Sequence, residues 1–474
     1  MLDTLRAAVS YGEKLGADFV EARFDDLTLR TLRRINDTWK DIILKSRTGV
    51  GITCYYDATP GYSFTASEDQ EDVNETVKRA YKMAKAASTA ASLKLDFDER
   101  PAVKRRPSDT FTAKVHPRTQ DLDFKMDLIN RMVESAREAG KDIQNVTGRY
   151  GELFGKKIFT NSEGSDINWD FLVIDLPCRV TSKTSTGALV FGSERKAGTL
   201  GLEIYKQKGS TPEEIGKAAG KYAAEQITAK ACPAGKFTAL TDNDLTGVLA
   251  HESFGHLSEA DFVVMGMSPL VDKIGSRLGT KHTTIIDGGV PNITKHGGLW
   301  IPYDDQGTKA NMTTILDKGI LRHYLQNRGT AKNLNQEPTG NCRAVHFGFI
   351  PIPRMTNTYF MPGDLTEEEA LEQLGTGIYA IQTSGGQVEG DGSFLFKADR
   401  GYWVEQGKIQ YPIREVSLSG NILQLLTQVE GATRDLLIWG TYFGGCGKDG
   451  QHPLPCGLGG PKLLIKDVTF GGQA

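Results

Sequence analysis

Cysteine is scarce in this chain, with six residues in 474, at positions 54, 178, 232, 342, 446 and 456. Spacing this irregular is not a disulfide framework, and no two of them form a C-x-x-C pair, so neither a stapled secreted scaffold nor a zinc ribbon is expected. A surplus of charge is also missing. The net charge of −3 lacks the basic excess of a nucleic-acid-binding protein. No window approaches the roughly 18 apolar residues of a membrane span. The opening residues, "MLDTLRAAVSYGEKLGADF", have no basic region followed by an apolar core, so no secretory signal is expected. There is no G-x-x-x-x-G-K-[ST] phosphate loop and no G-x-S-x-G nucleophile elbow. These absences point to a reduced, cytoplasmic protein with neither nucleic acid nor membrane as a partner.

What remains is ordinary globular composition, 39% hydrophobic and 24% charged, in a chain long enough for two or three domains. Glycine is plentiful, with 53 residues concentrated in the C-terminal half, which suggests tight turns and close backbone approaches. Apolar spacing predicts a helix over 2–16, strands from 19 with further strands around Gly49–Gly51, and a helix from 72 to about 91. A polar excursion containing "KRRP" follows and reads as solvated surface. From 121 the order recurs: helix (121–139), strands (about 143–205), helix (211 to about 230). The fold class is therefore α+β. Its first 230 residues hold two helix–strands–helix units, about 1–91 and 121–230, a possible internal duplication. "AKACPAGKF" breaks the pattern at Pro233 and Gly235 and places a boundary there. Residues 231–474 then read as a mainly antiparallel β domain with a helix from about Asn243 and another over 366–374.

The stretch that carries chemistry is "TDNDLTGVLAHESFGHLSEAD". Asp242 or Asn243 can cap a helix whose buried stripe is Leu245, Val248 and Leu249. His251, Glu252 and His256 follow. In H-E-x-x-H two histidines four apart differ by about 40° around a helix and face one metal, whereas five apart they differ by about 140°. One residue taken up as a π-bulge restores the shared face, and Gly255 is a residue type that tolerates such a distortion. A catalytic zinc takes three protein ligands and keeps a position open for water. Glu259 and Asp261, four dispersed histidines (His282, His296, His323, His346) and the distal turn segment "YFGGCGKDGQHPLPCGLGG" with Cys446, His452 and Cys456 are all candidates for the third. Chemistry alone does not separate the two cysteines.

"HESFGHLSEAD", followed in order by "YDDQGT", "LDKGILRHYLQN", "TGNCRA", "PIPRMTNTYFMPGD", "GGQVEGDGSFLFKADRGYWVEQGKI" and "GGCGKDGQ", resembles the TldD/PmbA family, specifically its metal-bearing TldD branch. The resemblance covers most of 237–474; the first 230 residues match in layout only. It implies a zinc metallopeptidase acting on short or unfolded peptides, with one zinc per active subunit. His251, His256 and Cys446 match the ligands, Glu252 the catalytic glutamate, and Cys456 falls where no cysteine is required and is structural. The PmbA branch lacks H-E-x-x-x-H. The family forms dimers, so a homodimer or a heterodimer with a metal-free paralogue is implied.

Glu259 and Asp261 are expected to orient the histidines or to end a solvated helix. A strand-rich domain can accept an extended peptide as an added strand. Arg354, Asn357 and Tyr359 are then either polar groups lining that cleft or the ties of a sheet-to-loop junction. Two other functions use the same residues. One is a deformylase-like amide hydrolase, with iron in place of zinc. The other is a non-catalytic peptide-binding or assembly subunit, which would have no need of Glu252.

Overall fold

A computed structural model describes residues 1–91, 98, 100–104, 111–383 and 385–471, with the backbone alone for Ser253. Most of the polar excursion after residue 91, including 105–107 of the "KRRP" run, lies outside the described residues.

Helix α1 (Leu2–Leu15) buries Leu5, Ala8 and Val9, and helix α2 (Gln70–Ser88), capped by Asp69, buries Val73, Val77 and Ala80. Both cover Val20, Ala22, Val50 and Ile52 on strands β1 (Phe19–Ile35) and β2 (Thr38–Tyr56), with β3 (Thr59–Thr65) alongside. The same order then repeats as helix α3 (Leu122–Ala139), strands β4 (Ile143–Asn161), β5 (Asp166–Lys183) and β6 (Leu189–Gly198), and helix α4 (Pro212–Thr228). Thr211 and Glu214 form the capping box that starts α4. The six strands make one antiparallel sheet in the order β3-β2-β1-β4-β5-β6, so the first strand of each set meets the other at the centre.

The strand expected around Gly49–Gly51 is present, and β2 runs straight through both glycines. A Cβ on Gly49 would sit 2.5 Å from the Phe347 ring, and one on Gly51 2.9 Å from the Phe347 carbonyl oxygen. These glycines give room for a neighbouring chain segment rather than a turn. The contact is reinforced by buried charge. Asp305, in "YDDQGT", takes a hydrogen bond from Lys157 Nζ at 2.7 Å and lies 3.8 Å from Arg23 Nη1. Arg23 in turn donates to the carbonyls of His346 and Phe349.

Residues 230–471 form two larger sheets. One runs in the order Gly386–Val388, Ser393–Lys397, Ser417–Asn421, Leu463–Phe470, Gly235–Thr241, Gly377–Ile381, Arg400–Glu405, Lys408–Arg414, Lys230–Ala231, and Val429–Ala432 also pairs with Leu463–Phe470. The other runs Ile320–Leu321, Met312–Asp317, Ile285–Gly288, Asn357–Phe360, Gly457–Gly460, Leu437–Gly440. Most pairings are antiparallel, but Gly235–Thr241 with Gly377–Ile381, Asn357–Phe360 with Gly457–Gly460, and Lys230–Ala231 with Lys408–Arg414 are parallel. The molecule is a mixed α/β protein built on large sheets. Helix α5 (Asn243–Val248) and the turns after it bury Leu245, Leu249, Ala250 and Phe254 against Ala239 and Ile378 of the first sheet and Phe360 of the second. "HESFGH" is thus held on a rigid, two-sided core.

Candidate metal centre

Asp242, not Asn243, caps α5: its carboxylate accepts the Leu245 N–H at 2.9 Å. Past Val248 the helix widens into π turns over Leu249–Gly255, and the backbone N–H of His256 donates to the carbonyl of His251. Residues five apart are stacked by such a bond. The two imidazoles stand edge to face, 5.3 Å between centroids at 83°. The reason for glycine at 255 differs from the sequence expectation. Its backbone is ordinary right-handed helix (φ −59°, ψ −49°). Space is what it provides, since a Cβ there would lie 2.1 Å from Met355 Sδ.

Cys446 comes from the other end of the chain. Cys446–Lys448 pairs with Gln451–Leu454 around a turn at Asp449 and Gly450, both in the left-handed region (φ 48° and 71°). Arg343 docks this hairpin by donating to Pro455 O at 2.7 Å and Met355 O at 2.5 Å. Cys446 Sγ then lies 3.6 Å from His256 Nε2. One ligand atom each from His251, His256 and Cys446 lies within 4.8 Å of the others. Among the described residues no other histidine, cysteine or carboxylate joins a group of this kind. Cys456 is buried nearby, its sulfur 3.8 Å from Thr441 Oγ1. All six cysteines are free.

The electrostatics suit a cation. Burial, with His256, Arg354 and Arg343 adding to it, holds the His251 imidazole neutral, far below its usual range. Neither of its ring nitrogens has a hydrogen-bond partner, although the residue is 1% exposed. Such orphaned buried nitrogens are rare, and a metal ion would satisfy one of them. For His256 burial opposes charge, but the Glu259 carboxylate and the Cys446 sulfur more than offset it and raise the proton affinity well above normal. His256 Nδ1 lies 3.0 Å from Glu259 Oε2. Because the carboxylate only accepts, Nδ1 carries the proton and Nε2 faces the cysteine. Glu252 Oε2 is 3.8 Å from His256 Nε2, and its side chain is 42% exposed, opening on a cavity of about 370 Å³. Burial, partly countered by His256, pushes its carboxyl above the usual range.

A family model described as the PmbA/TldA metallopeptidase C-terminal domain matches residues 234–472, and one described as the central domain matches 115–228. The chain belongs to the PmbA/TldD family. It is similar to a metalloprotease of Methanocaldococcus jannaschii, 34% identical over 87% of this chain and 88% of that one. A zinc metalloprotease TldD homolog of Saccharolobus solfataricus is 26% identical over 98% and 99%. The crystal structure of TldE from Thermococcus kodakarensis, 16% identical, shares the fold with a TM-score of 0.80 over 99% of this chain and all of its own.

Within this family frame, the other residues singled out from the sequence divide. Glu259 touches His256, but Asp261 reaches no histidine and instead accepts from Lys448 Nζ at 2.7 Å. Arg354 is fully buried, donates to Gln451 O at 3.4 Å, and leaves Nε and Nη1 unpartnered. Asn357 spends its amide on backbone: Nδ2 donates to Gly288 O and Leu299 O at 2.7 and 2.9 Å, and Oδ1 accepts from Leu299 N at 2.7 Å. Tyr359 is buried on the same strand. Asn357 thus ties its strand to Gly288 and Leu299, and neither it nor Tyr359 is among the residues that line the cavity beside Glu252. Two residues near the centre escaped sequence reasoning. Arg343 left no local signal. Lys448 did leave one, because the alternation in "CGK" puts it on the same side of a strand as Cys446.

Proposed function

We propose that this chain is a zinc-dependent peptidase of the metal-bearing TldD branch, hydrolysing short or unfolded peptides. The observation that carries the proposal is the convergence of His251, His256 and Cys446 within 4.8 Å, beside a glutamate open to a cavity. The names of the M. jannaschii and S. solfataricus relatives support it.

His251 Nε2 or Nδ1, His256 Nε2 and the Cys446 thiolate would hold the ion, a donor set that suits tetrahedral zinc with one position left open. Bound zinc supplies Lewis acidity and makes water acidic near neutral pH. Glu252 then takes a proton from the attacking water onto its carboxylate and returns it to the nitrogen of the leaving amine. Glu259 holds the His256 ring by its Nδ1–H. The strand Gly386–Val388 ends the larger sheet, and Val388, Glu389 and Gly390 line the same cavity as Glu252. An extended peptide can add to that edge through main-chain hydrogen bonds, which asks little of its sequence.

Pairing with itself or with a metal-free paralogue in the cytoplasm completes the proposal. The fold shared with TldE supports a family of like-shaped subunits. No described helix is long and apolar enough to cross a membrane.

The test is Glu252→Gln. This variant should retain zinc and lose cleavage of casein-like unfolded chains by about 10²-fold or more. Normal turnover by the variant would refute the catalytic assignment. Cleavage confined to formyl-methionyl peptides would instead make the chain a deformylase.

A further inference from the structure

Lys448 is buried, yet it is a cation. Its Nζ meets three acceptors: Asp261 Oδ1 at 2.7 Å, Glu259 Oε2 at 3.1 Å and Pro353 O at 3.1 Å. The contacts to Asp261 and Pro353 are hydrogen bonds and the one to Glu259 is an ion pair, and the Phe262 ring covers the amino group at 4.1 Å. A buried charge persists only when paired and hydrogen-bonded, so the group is fixed in place.

What it fixes is specific. Glu259 offers one oxygen, Oε2, to both Lys448 Nζ and His256 Nδ1, while Oε1 has no partner. The lysine and the imidazole thus meet at a single atom, and a shift of one moves the acceptor of the other. In Cys446–Lys448 the first and third residues are buried and the middle one exposed, so Cys446 and Lys448 face inward together.

We propose that Lys448 is a positioning residue that sets the His256 ring, through Glu259, as a metal ligand. This rests on the zinc reading above and goes beyond it. A single hairpin strand delivers the third ligand and the anchor of the second, so hairpin docking assembles both at once. A salt bridge that merely joined the hairpin to residues 259–261 would affect stability and leave the ligand geometry alone.

The test uses the full chain, titrated with zinc against a competing chelator and with cobalt(II) for its absorption spectrum. Lys448→Met should fold, bind zinc about 10-fold more weakly, the low end of losses from outer partners of ligands, and shift the cobalt d–d bands. Unchanged affinity and bands in folded Lys448→Met would overturn the proposal. Should that variant not fold, Asp261→Ala decides in its place: it keeps the lysine but removes the acceptor of its shortest hydrogen bond. A several-fold loss of affinity then supports the proposal, and no loss overturns it. A wild-type chain that binds no zinc would overturn both this inference and the zinc reading, whereas wild-type binding with no effect of Lys448 overturns this inference alone.

Discussion

The backbone N–H of His256 donates to the carbonyl of His251, five residues back, and this brings the two imidazoles to 5.3 Å between centroids. In a regular α-helix the bond would reach only four residues back and the rings would diverge by about 140°. The residue that looks like an insertion in H-E-x-x-x-H is therefore taken up by the π turn. Met355, fully buried, packs against the turn where a 255 side chain would go.

Gly255→Ala should consequently destabilise the fold by about 1–3 kcal/mol, the usual cost of overpacking. Met355 supplies the clash, so the penalty should shrink by roughly 1 kcal/mol when the change is made on a Met355→Ala background. Urea unfolding of the four proteins measures the coupling. Equal penalties in both backgrounds would show that the glycine serves some other need.

The two C-terminal cysteines should separate cleanly. Cys446→Ser removes a sulfur 3.6 Å from His256 Nε2 and should weaken zinc binding by more than the about 10–100-fold seen when outer partners are lost. Cys456→Ser changes a buried sulfur beside Thr441 that is no part of the three-residue group, and should leave affinity within a few-fold. Chelator competition on both variants decides, and the reverse ranking would exchange their roles.

Much of this was open to reading because it is periodic or local. The paired helix–strand–helix order, a cap at Asp242 or Asn243 and the need for a bulge before His256 all follow from local spacing. The two cysteines could not be ranked from chemistry, because about two hundred positions separate them from His251 and only the hairpin's docking by Arg343 decides which one arrives. The reason for glycine at 49 and 51, within a strand that was itself legible, was hidden for a related cause: the residue that requires them, Phe347, is about three hundred positions away. Asp261 and Asn357 show the limit of residue-type reasoning. A carboxylate near a histidine in sequence pairs with Lys448 in space, and an amide in an apolar run serves backbone.

Asn357→Ala accordingly should be a stability variant. It leaves Gly288 O and the Leu299 N–H and C=O without their buried partner, at about 1–3 kcal/mol for each group left unmade, so a loss of about 3 kcal/mol or more is expected. The folded fraction should keep its KM for peptides. A raised KM with unchanged unfolding would return Asn357 to the substrate cleft.

The junction between the first sheet and the rest of the chain should respond to pH through Glu21. This side chain is 4% exposed and takes a hydrogen bond from Gln306 Nε2 at 3.3 Å. Burial, countered in part by Arg328 and Gln306, pushes its carboxyl from 4.5 to about 7. Between those values the folded chain keeps a proton that the unfolded chain releases. Stability therefore falls as pH rises through this window, and above pH 7 the full cost remains. At 1.36 kcal/mol for each pH unit the cost is at most about 3 kcal/mol. Glu21→Gln cannot ionise and preserves the side chain's shape beside Gln306. It should be more stable than wild type at pH 8 by about 1–3 kcal/mol, with the advantage fading by pH 5. Asp304, pushed up to about 7 by its own burial, leaves a residual slope in the variant. Urea unfolding at the two pH values measures the difference. An equal loss of stability at both would mean that the carboxyl of Glu21 is needed for packing and that its charge does not bear on the fold.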